Sequence, residues 1–238
     1  MPIDYENLSA AEISALDTAL AGHEQDWWDS FYADRGKPCP FFVALPDEGL
    51  VTSVRNGRIP PGRALDLGCG NGRNAVFLAR QGHSVDAVDF SQTAVEWATQ
   101  RVAEAGVSVR LLRQSVFELA VEPASYGLVY DSGCFHHIAP HRRDSYVQIV
   151  ASALAEGGWF GMACFRPEGG SGYSDEEVYQ RHSLGGGLGY SEARLREIWS
   201  TGFTVREIRP MDKQRPESGL FGASFLWSFW AQRRSGNK

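Results

Sequence analysis

The segment Leu65-Asp66-Leu67-Gly68-Cys69-Gly70-Asn71-Gly72-Arg73-Asn74 constrains this chain more than any other. The apolar run Arg63–Leu67 reads as a strand. Glycines at alternate positions follow it. A helical pattern then covers Asn71–Arg80, with Ala75, Val76, Leu78 and Ala79 on one side. Glycine permits positive φ and close approach of the backbone to a neighbour. A strand that turns through such a loop into a helix opens a βαβ unit, and ligands of such sheets bind beyond the carboxyl ends of the strands. The spacing G-x-G-x-G, with Asp66 inside the strand, differs from the G-x-G-x-x-G dinucleotide fingerprint.

The rest of the chain repeats the strand–helix rhythm. Strands are expected at Ser84–Asp89, Val107–Arg113, Tyr126–Tyr130 and Gly157–Phe165, with two more at Phe203–Arg209 and Ala223–Gln232. Ser91 is placed to cap a helix carrying Val95, Ala98 and Val102. Pro140–Ala155 and Ser191–Thr201 have helical patterns. The expectation is an α/β fold: a seven-stranded, mostly parallel sheet with helices on both faces and the last strand antiparallel, at or near the edge. Before this unit, Ser9-Ala10-Ala11-Glu12 forms a capping-box pattern, and Gly22 is placed to end the helix it opens. Glu24–Ala33 reads as a second helix bearing Trp27, Trp28, Phe31 and Tyr32, and Asp47–Asn56 as a third. Residues 1–58 are therefore expected as a helical cap, and residues 59–238 as the main domain. Its Gly-rich stretch 166–189 is too long for an ordinary connection and is expected as a lid.

The glycine segment resembles motif I of class I S-adenosylmethionine (SAM) dependent methyltransferases, D-x-G-x-G-x-G, and the resemblance continues downstream. Val85-Asp86-Ala87-Val88-Asp89 is a strand ending in an acid, followed by Phe90. Gln114-Ser115-Val116 follows the third strand, and Asp131-Ser132-Gly133-Cys134-Phe135-His136-His137-Ile138 follows the fourth. The resemblance implies a Rossmann-like methyltransferase sheet with SAM as cofactor. It implies cofactor contacts from Asp66, Gly68, Cys69, Gly70 and Asn74, ribose hydrogen bonds to Asp89 beside Phe90, adenine contacts near Ser115 and Val116, and the methionine part near Asp131. Ser115 stands where the family commonly carries an Asp. Asp66 has a second reading as an anchor for the loop amides, and Asp89 as a helix cap. A narrower resemblance, to tellurite-resistance, thiopurine and thiol methyltransferases, rests on Gly68–Asn74 and on Trp28-Asp29-Ser30-Phe31-Tyr32. It implies that Trp28 and Tyr32 cover the cofactor as a lid. Core packing of the same aromatics is the other reading.

Methyl transfer depends on alignment, with a base where the nucleophile is protic. The candidate bases are His136, His137 and His182. Each also reads as a structural or solvated imidazole. Arg73, Arg166 and Arg181 are candidates for an acidic substrate. Cys134, His136, His137 and His141 carry metal-ligating side chains, but Pro140 interrupts the helical spacing and no metal is expected. The segment after the fourth strand lacks the N/D-P-P-Y of amino methyltransferases acting on DNA adenine or protein glutamine. A net charge of -6 leaves no basic footprint for nucleic acid. A small-molecule acceptor, methylated at a heteroatom, is the expectation. The alternatives are a protein methyltransferase and a SAM-binding protein without turnover. No apolar run is long enough to span a membrane. Cys39, Cys69, Cys134 and Cys164 show no C-x-x-C pairing, and the acidic start Met1–Glu6 has no apolar h-region, so a reduced cytoplasmic protein is expected. Nothing in the sequence specifies an oligomeric state.

Overall fold

The computed structural model describes residues 8–20 and 24–235. The readings of Met1–Glu6 and of Gly22 lie outside the described residues. In chain order the helices are α1 (Ala10–Leu20), α2 (Glu24–Ala33), α3 (Glu48–Arg55), α4 (Arg73–Arg80), α5 (Gln92–Ala105), α6 (Arg143–Ala153), α7 (Asp175–Gln180) and α8 (Glu192–Ile198). The strands are β1 (Arg63–Leu67), β2 (Ser84–Asp89), β3 (Val109–Arg113), β4 (Tyr126–Ser132), β5 (Leu154–Phe165), β6 (Phe203–Pro210) and β7 (Leu226–Arg233).

The seven strands lie in the order β3-β2-β1-β4-β5-β7-β6. β7 is antiparallel to both neighbours, and the pairs from β3 to β5 are parallel. The last strand is thus inserted between β5 and β6, and β6 takes the edge. Strand order reverses between β1 and β4, so the loops that follow these two strands share the switch point.

Both faces of the sheet are covered, so its central strands are apolar on both sides. Ala64, Ala87, Leu128 and Tyr130 pack under α3 and α4, with Leu50, Val51, Ala75 and Leu78. Leu65, Leu67, Val129 and Phe160 pack on the other face with Tyr146 and Val150 of α6, Leu195 of α8 and Trp199. Grouped by sequence with the cap, α3 is therefore one of the sheet-covering helices.

Two elements differ from the sequence reading. The stretch 166–189 is built in: Ser174 and Glu177 form a capping box for α7, Val178 and Leu188 are buried, and Arg143 grips Asp175 at 2.6 and 2.8 Å. Several of its glycines, Gly169, Gly170 and Gly189 among them, serve close packing. A Cβ on Gly170 would lie 2.1 Å from the Gly189 nitrogen. The expected first turn at Asn71 is displaced because Gly72 is left-handed, with φ 75°, and α4 starts at Arg73.

Ahead of α3, Asp47 is fully buried and organises the β1–β4 crossing. Its carboxylate pairs with Arg73 at 2.5 Å and accepts from the Tyr130 hydroxyl at 2.8 Å and the Asn74 amide at 3.1 Å. Arg73 also donates to the Leu45 carbonyl and to Ser132 Oγ. Removing one partner leaves an uncompensated buried charge. We therefore expect Asp47→Ala to cost about 3–5 kcal/mol, read from denaturant unfolding, while Asp212→Ala on the surface stays near wild type.

Candidate functional site

The loop after β1 is shaped by its neighbours. Gly68, Gly70 and Gly72 have φ of 62°, 52° and 75°. A Cβ on Gly68 would lie 2.6 Å from Cys134 Cβ, and one on Gly70 would lie 2.6 Å from the Tyr32 hydroxyl. The Cys69 N–H donates to the Val88 carbonyl, and the Gly70 N–H donates to Asp89 Oδ2 at 2.9 Å. The loop amides are thus anchored on β2, and the reading of Asp66 as their anchor is corrected. Asp66 is buried on β1 and one carboxyl oxygen has no partner. Burial, partly offset by Arg73, pushes its pKa up to about 8.

Asp89 ends β2 beside this loop. Its other oxygen accepts from the Ser91 N–H at 2.9 Å, while Ser91 itself caps α5. The helix-cap reading of Asp89 is therefore corrected. Burial pushes the Asp89 carboxyl up to about 6, against the hydrogen bonds from Ser91 and Gly70, and the charge of Asp29 adds to the rise. Asp29, on α2, accepts from the Ser91 hydroxyl at 2.6 Å and from the Thr93 N–H at 3.2 Å. This contact fixes α2 over the end of β2. Tyr32 of α2 is buried on the loop and stacks with Phe42, whose ring meets Trp97 of α5 edge-on. The aromatic helix packs as a small core and does so above the glycine loop.

The turn after β4 supplies the opposite wall. Asp131 is fully buried, and its carboxylate accepts from the N–H groups of Cys134 and Phe135 and from the Tyr146 hydroxyl, at 2.8, 2.9 and 2.5 Å. Its side chain shapes the turn. His136 stacks on Phe165 with ring centroids 3.7 Å apart, and its Nδ1 accepts from the Phe165 N–H at 3.2 Å. Burial, with the neighbouring His137 adding to it, holds its pKa well below the usual range. His137 meets Trp28 edge-on at 4.7 Å, and burial lowers its pKa to about 4.

Several expected residues lie elsewhere. Asn74 spends its amide on Asp47, accepting from the Asp47 N–H and donating to its carboxylate. His182 is exposed after α7, and its Nδ1 bonds to the Ala19 carbonyl at the end of α1. The built-in segment 166–189 holds it there. Ser115 accepts from the Phe117 N–H as a cap, next to buried Val116. Phe90 is half-buried at the end of β2. Arg73 is occupied by Asp47, Arg166 pairs with Glu168, and Arg181 is exposed beside Glu177. His141 is held by Tyr179 and Asp17, and among the described residues no group of His, Cys, Asp and Glu gathers as a metal site. No described helix is long and apolar enough to cross a membrane. Asp29, Asp47 and Cys134 were missed as organisers. Asp29 lay inside the quoted Trp28–Tyr32 segment, but its partner Ser91 is distant in sequence.

Comparison with known proteins agrees with this geometry. Residues 64–158 match the family model described as a methyltransferase domain. A 2-heptyl-1-hydroxyquinolin-4(1H)-one methyltransferase of Mycobacteroides abscessus is 28% identical over 177 residues, covering 72% of this chain and 71% of that protein. A ubiquinone biosynthesis O-methyltransferase of Caulobacter sp. is 32% identical over 145 residues, and the chain spans only 55% of its length. The crystal structure of Burkholderia thailandensis 1,6-didemethyltoxoflavin-N1-methyltransferase, with bound 1,6-didemethyltoxoflavin and S-adenosylhomocysteine, shares the fold. Its TM-score is 0.62 at 23% identity, over 98% of this chain and 94% of that one. Over residues 64–158 the chain is thus similar to a methyltransferase domain, and its fold is shared with solved methyltransferases.

A methyl group on Gly70 would meet both a left-handed backbone and the Tyr32 hydroxyl. Gly70→Ala is expected to cost about 1–3 kcal/mol and to loosen α2. Increased hydrogen exchange in residues 26–33, without change in β5, would report it.

Proposed function

We propose that this protein transfers the methyl group of SAM to a heteroatom of a small-molecule acceptor. The observation that carries this reading is Asp89. A buried carboxylate stands at the carboxyl end of β2, tied to the glycine loop through Gly70 and roofed by aromatic rings that Asp29 fixes in place.

The residues fit SAM on structural grounds. Each Asp89 oxygen accepts one backbone N–H and keeps acceptor capacity for a ribose hydroxyl. The unpartnered Asp66 oxygen, on the strand that feeds the loop, suits a cationic ligand group. The backbone of Gly68, Cys69 and Gly70 would border the methionine part, and Phe90, Ser115 and Val116 the adenine. Trp28 and Tyr32 would cover the sulfonium side, where aromatic faces attract a cation. Asp131 would contribute through the turn it shapes, and Asn74 and His182 fall outside this set. Residues 1–58 would act as the cap through α1 and α2, and the remainder as the SAM-binding domain. Bound SAM supplies an electrophilic methyl on a good leaving group. The chain's own work is to align an acceptor against it and to exclude water.

His137 is the histidine that stays a candidate to face the acceptor. A ring whose pKa is about 4 takes a proton poorly from an alcohol. The reading favoured is an acceptor that arrives ionised or with a free lone pair, such as a phenol-like oxygen, a thiol or a ring nitrogen. The related proteins named above, one an O-methyltransferase and one an N1-methyltransferase, span such chemistry. Among rates for substituted phenols, His137→Ala is then expected to lose less than about 100-fold, the lower end of what removing a general base costs. A larger loss, confined to the least acidic phenols, would make His137 the base instead.

Calorimetry with S-adenosylhomocysteine tests the cofactor site. Asp89→Ala should weaken binding by about 1–3 kcal/mol. In the wild type, Asp89 is protonated below about pH 6 and charged above it, so affinity should be highest above that pH and fall as pH drops toward 5. Asp89→Asn should flatten this dependence. A wild type that is folded yet binds no S-adenosylhomocysteine removes the proposal. Binding without turnover on thiols, phenols, amines or protein extracts would leave a SAM-binding protein.

A further inference from the structure

β1, β2 and β3 begin at the end of the sheet opposite the glycine loop. There Arg63, His83, Ser84, Asp86, Ser108 and Arg110 line a cavity of about 440 Å³. That volume lies within the range of small-molecule sites, roughly 300–1,000 Å³. Nothing in the methyl-transfer reading uses these residues.

His83 is only 5% exposed, and neither ring nitrogen has a hydrogen-bond partner. The Gly62 carbonyl approaches the ring outside hydrogen-bond geometry and accepts instead from the Ser84 N–H at 3.0 Å. A buried imidazole in this condition is expensive, because neither its donor nor its acceptor replaces the water it has lost. Burial also lowers its pKa, which favours the neutral ring.

The charges around it are arranged asymmetrically. Arg110 clasps Asp86 with Nε and Nη2, both at 2.7 Å, and the Tyr126 hydroxyl donates to the same carboxylate at 2.5 Å. Asp86 is thereby held low, at about 2, chiefly by Arg110, and its charge is matched. The Arg110 Nη1 hydrogens stay outside that fork. The Arg63 guanidinium packs over the Tyr126 ring, 4.7 Å from its centroid, and its polar contacts are long, to Asp86 at 3.3 Å, to the Tyr126 hydroxyl at 3.4 Å and to the highly exposed Glu122 at 3.8 Å. What faces the cavity is one surplus guanidinium, the open edge of a second, two serines and an unsatisfied imidazole. Guanidinium edges match tetrahedral and planar oxyanions through paired N–H donors.

We propose that this cavity is a second binding site, distinct from the cofactor site, which takes a phosphate group, either free or as a small phosphomonoester. Arg63 and Arg110 would hold its oxygens, and His83 would donate from inside the cavity. An anion there would stabilise the charged imidazole, so binding should raise the His83 pKa and take up a proton.

The test is NMR of the histidine rings in the full-length wild-type protein, titrated with inorganic phosphate in a zwitterionic buffer. Sodium chloride is the control at matched ionic strength. A saturable shift of the His83 signals is expected, with Kd on the order of 1 mM or tighter. It should come with an upward move of the His83 titration midpoint. His83→Leu, followed by calorimetry, and Arg63→Met, followed by NMR, should each weaken phosphate by about tenfold or more. Neither should alter S-adenosylhomocysteine affinity. Glycerol 3-phosphate in place of phosphate separates the two sources: tighter binding identifies a phosphomonoester, equal binding free phosphate. Unsaturable His83 shifts in the wild type, or equal phosphate affinity in the Arg63→Met protein, would mean an adventitious ion only and would overturn the site. The wild-type measurement decides even where a variant fails to fold.

Discussion

The hydrogen bond from the Gly70 amide to the Asp89 carboxylate ties two neighbouring strands together beyond their last ladder bonds. A turn of three left-handed glycines has no internal reason to hold one shape, because glycine visits many conformations at little cost. Asp89 gives it that reason. The same carboxylate takes the Ser91 N–H, so the glycine loop and the start of α5 are positioned by a single side chain. Asp29 then reads the position of α5 through Ser91 and Thr93 and sets α2 above the loop. The roof depends on the floor through a short chain of hydrogen bonds. This continuity assembles one walled site out of elements far apart in sequence.

Two further buried carboxylates sit on either side of β4 and do different work. Asp47 neutralises Arg73 and satisfies Tyr130 and Asn74, which locks the start of α4 to the segment before α3. Asp131 collects two backbone donors and the Tyr146 hydroxyl, and so fixes the turn that carries His136 and His137. Its pKa is pushed up to about 7 by burial, with those hydrogen bonds opposing the rise. Buried charges are costly unless paired and hydrogen-bonded, and here the cost falls at the strand crossover. That is where a sheet of this order must hold its loops still for a ligand.

Much of the architecture was legible because it is written in local pattern. The bounds of β1, β2 and α2 follow from apolar runs and their flanking caps, and the βα rhythm implies the parallel sheet. Motif spacing directed attention to the glycine loop, to Asp89 and to the turn after β4. Other features were not legible. Asn74 and Asp131 stand in motifs, but a motif does not record where a side chain points, and both make hydrogen bonds to protein partners. The length of the Gly-rich segment 166–189 suggests a lid, whereas the structure packs it against the domain. The Ser174–Glu177 capping box and the apolar Val178 and Leu188 were signals of order within the same stretch.

Sequence alone therefore determined the class of sheet, the location of the glycine loop and the acid at the end of β2, because each depends on residues near one another in the chain. Only the tertiary structure decided which groups remain available for chemistry. It placed β7 between β5 and β6, assigned Tyr32 and Cys134 to the space beside the glycines, and turned His136 onto Phe165 while leaving His137 against Trp28. It also left the nitrogens of His83 without partners in a cavity at the far end of β2. The reason is physical. Whether a polar group is spent or free depends on desolvation and on partners within about 3 Å. Those partners come from positions that no local pattern links.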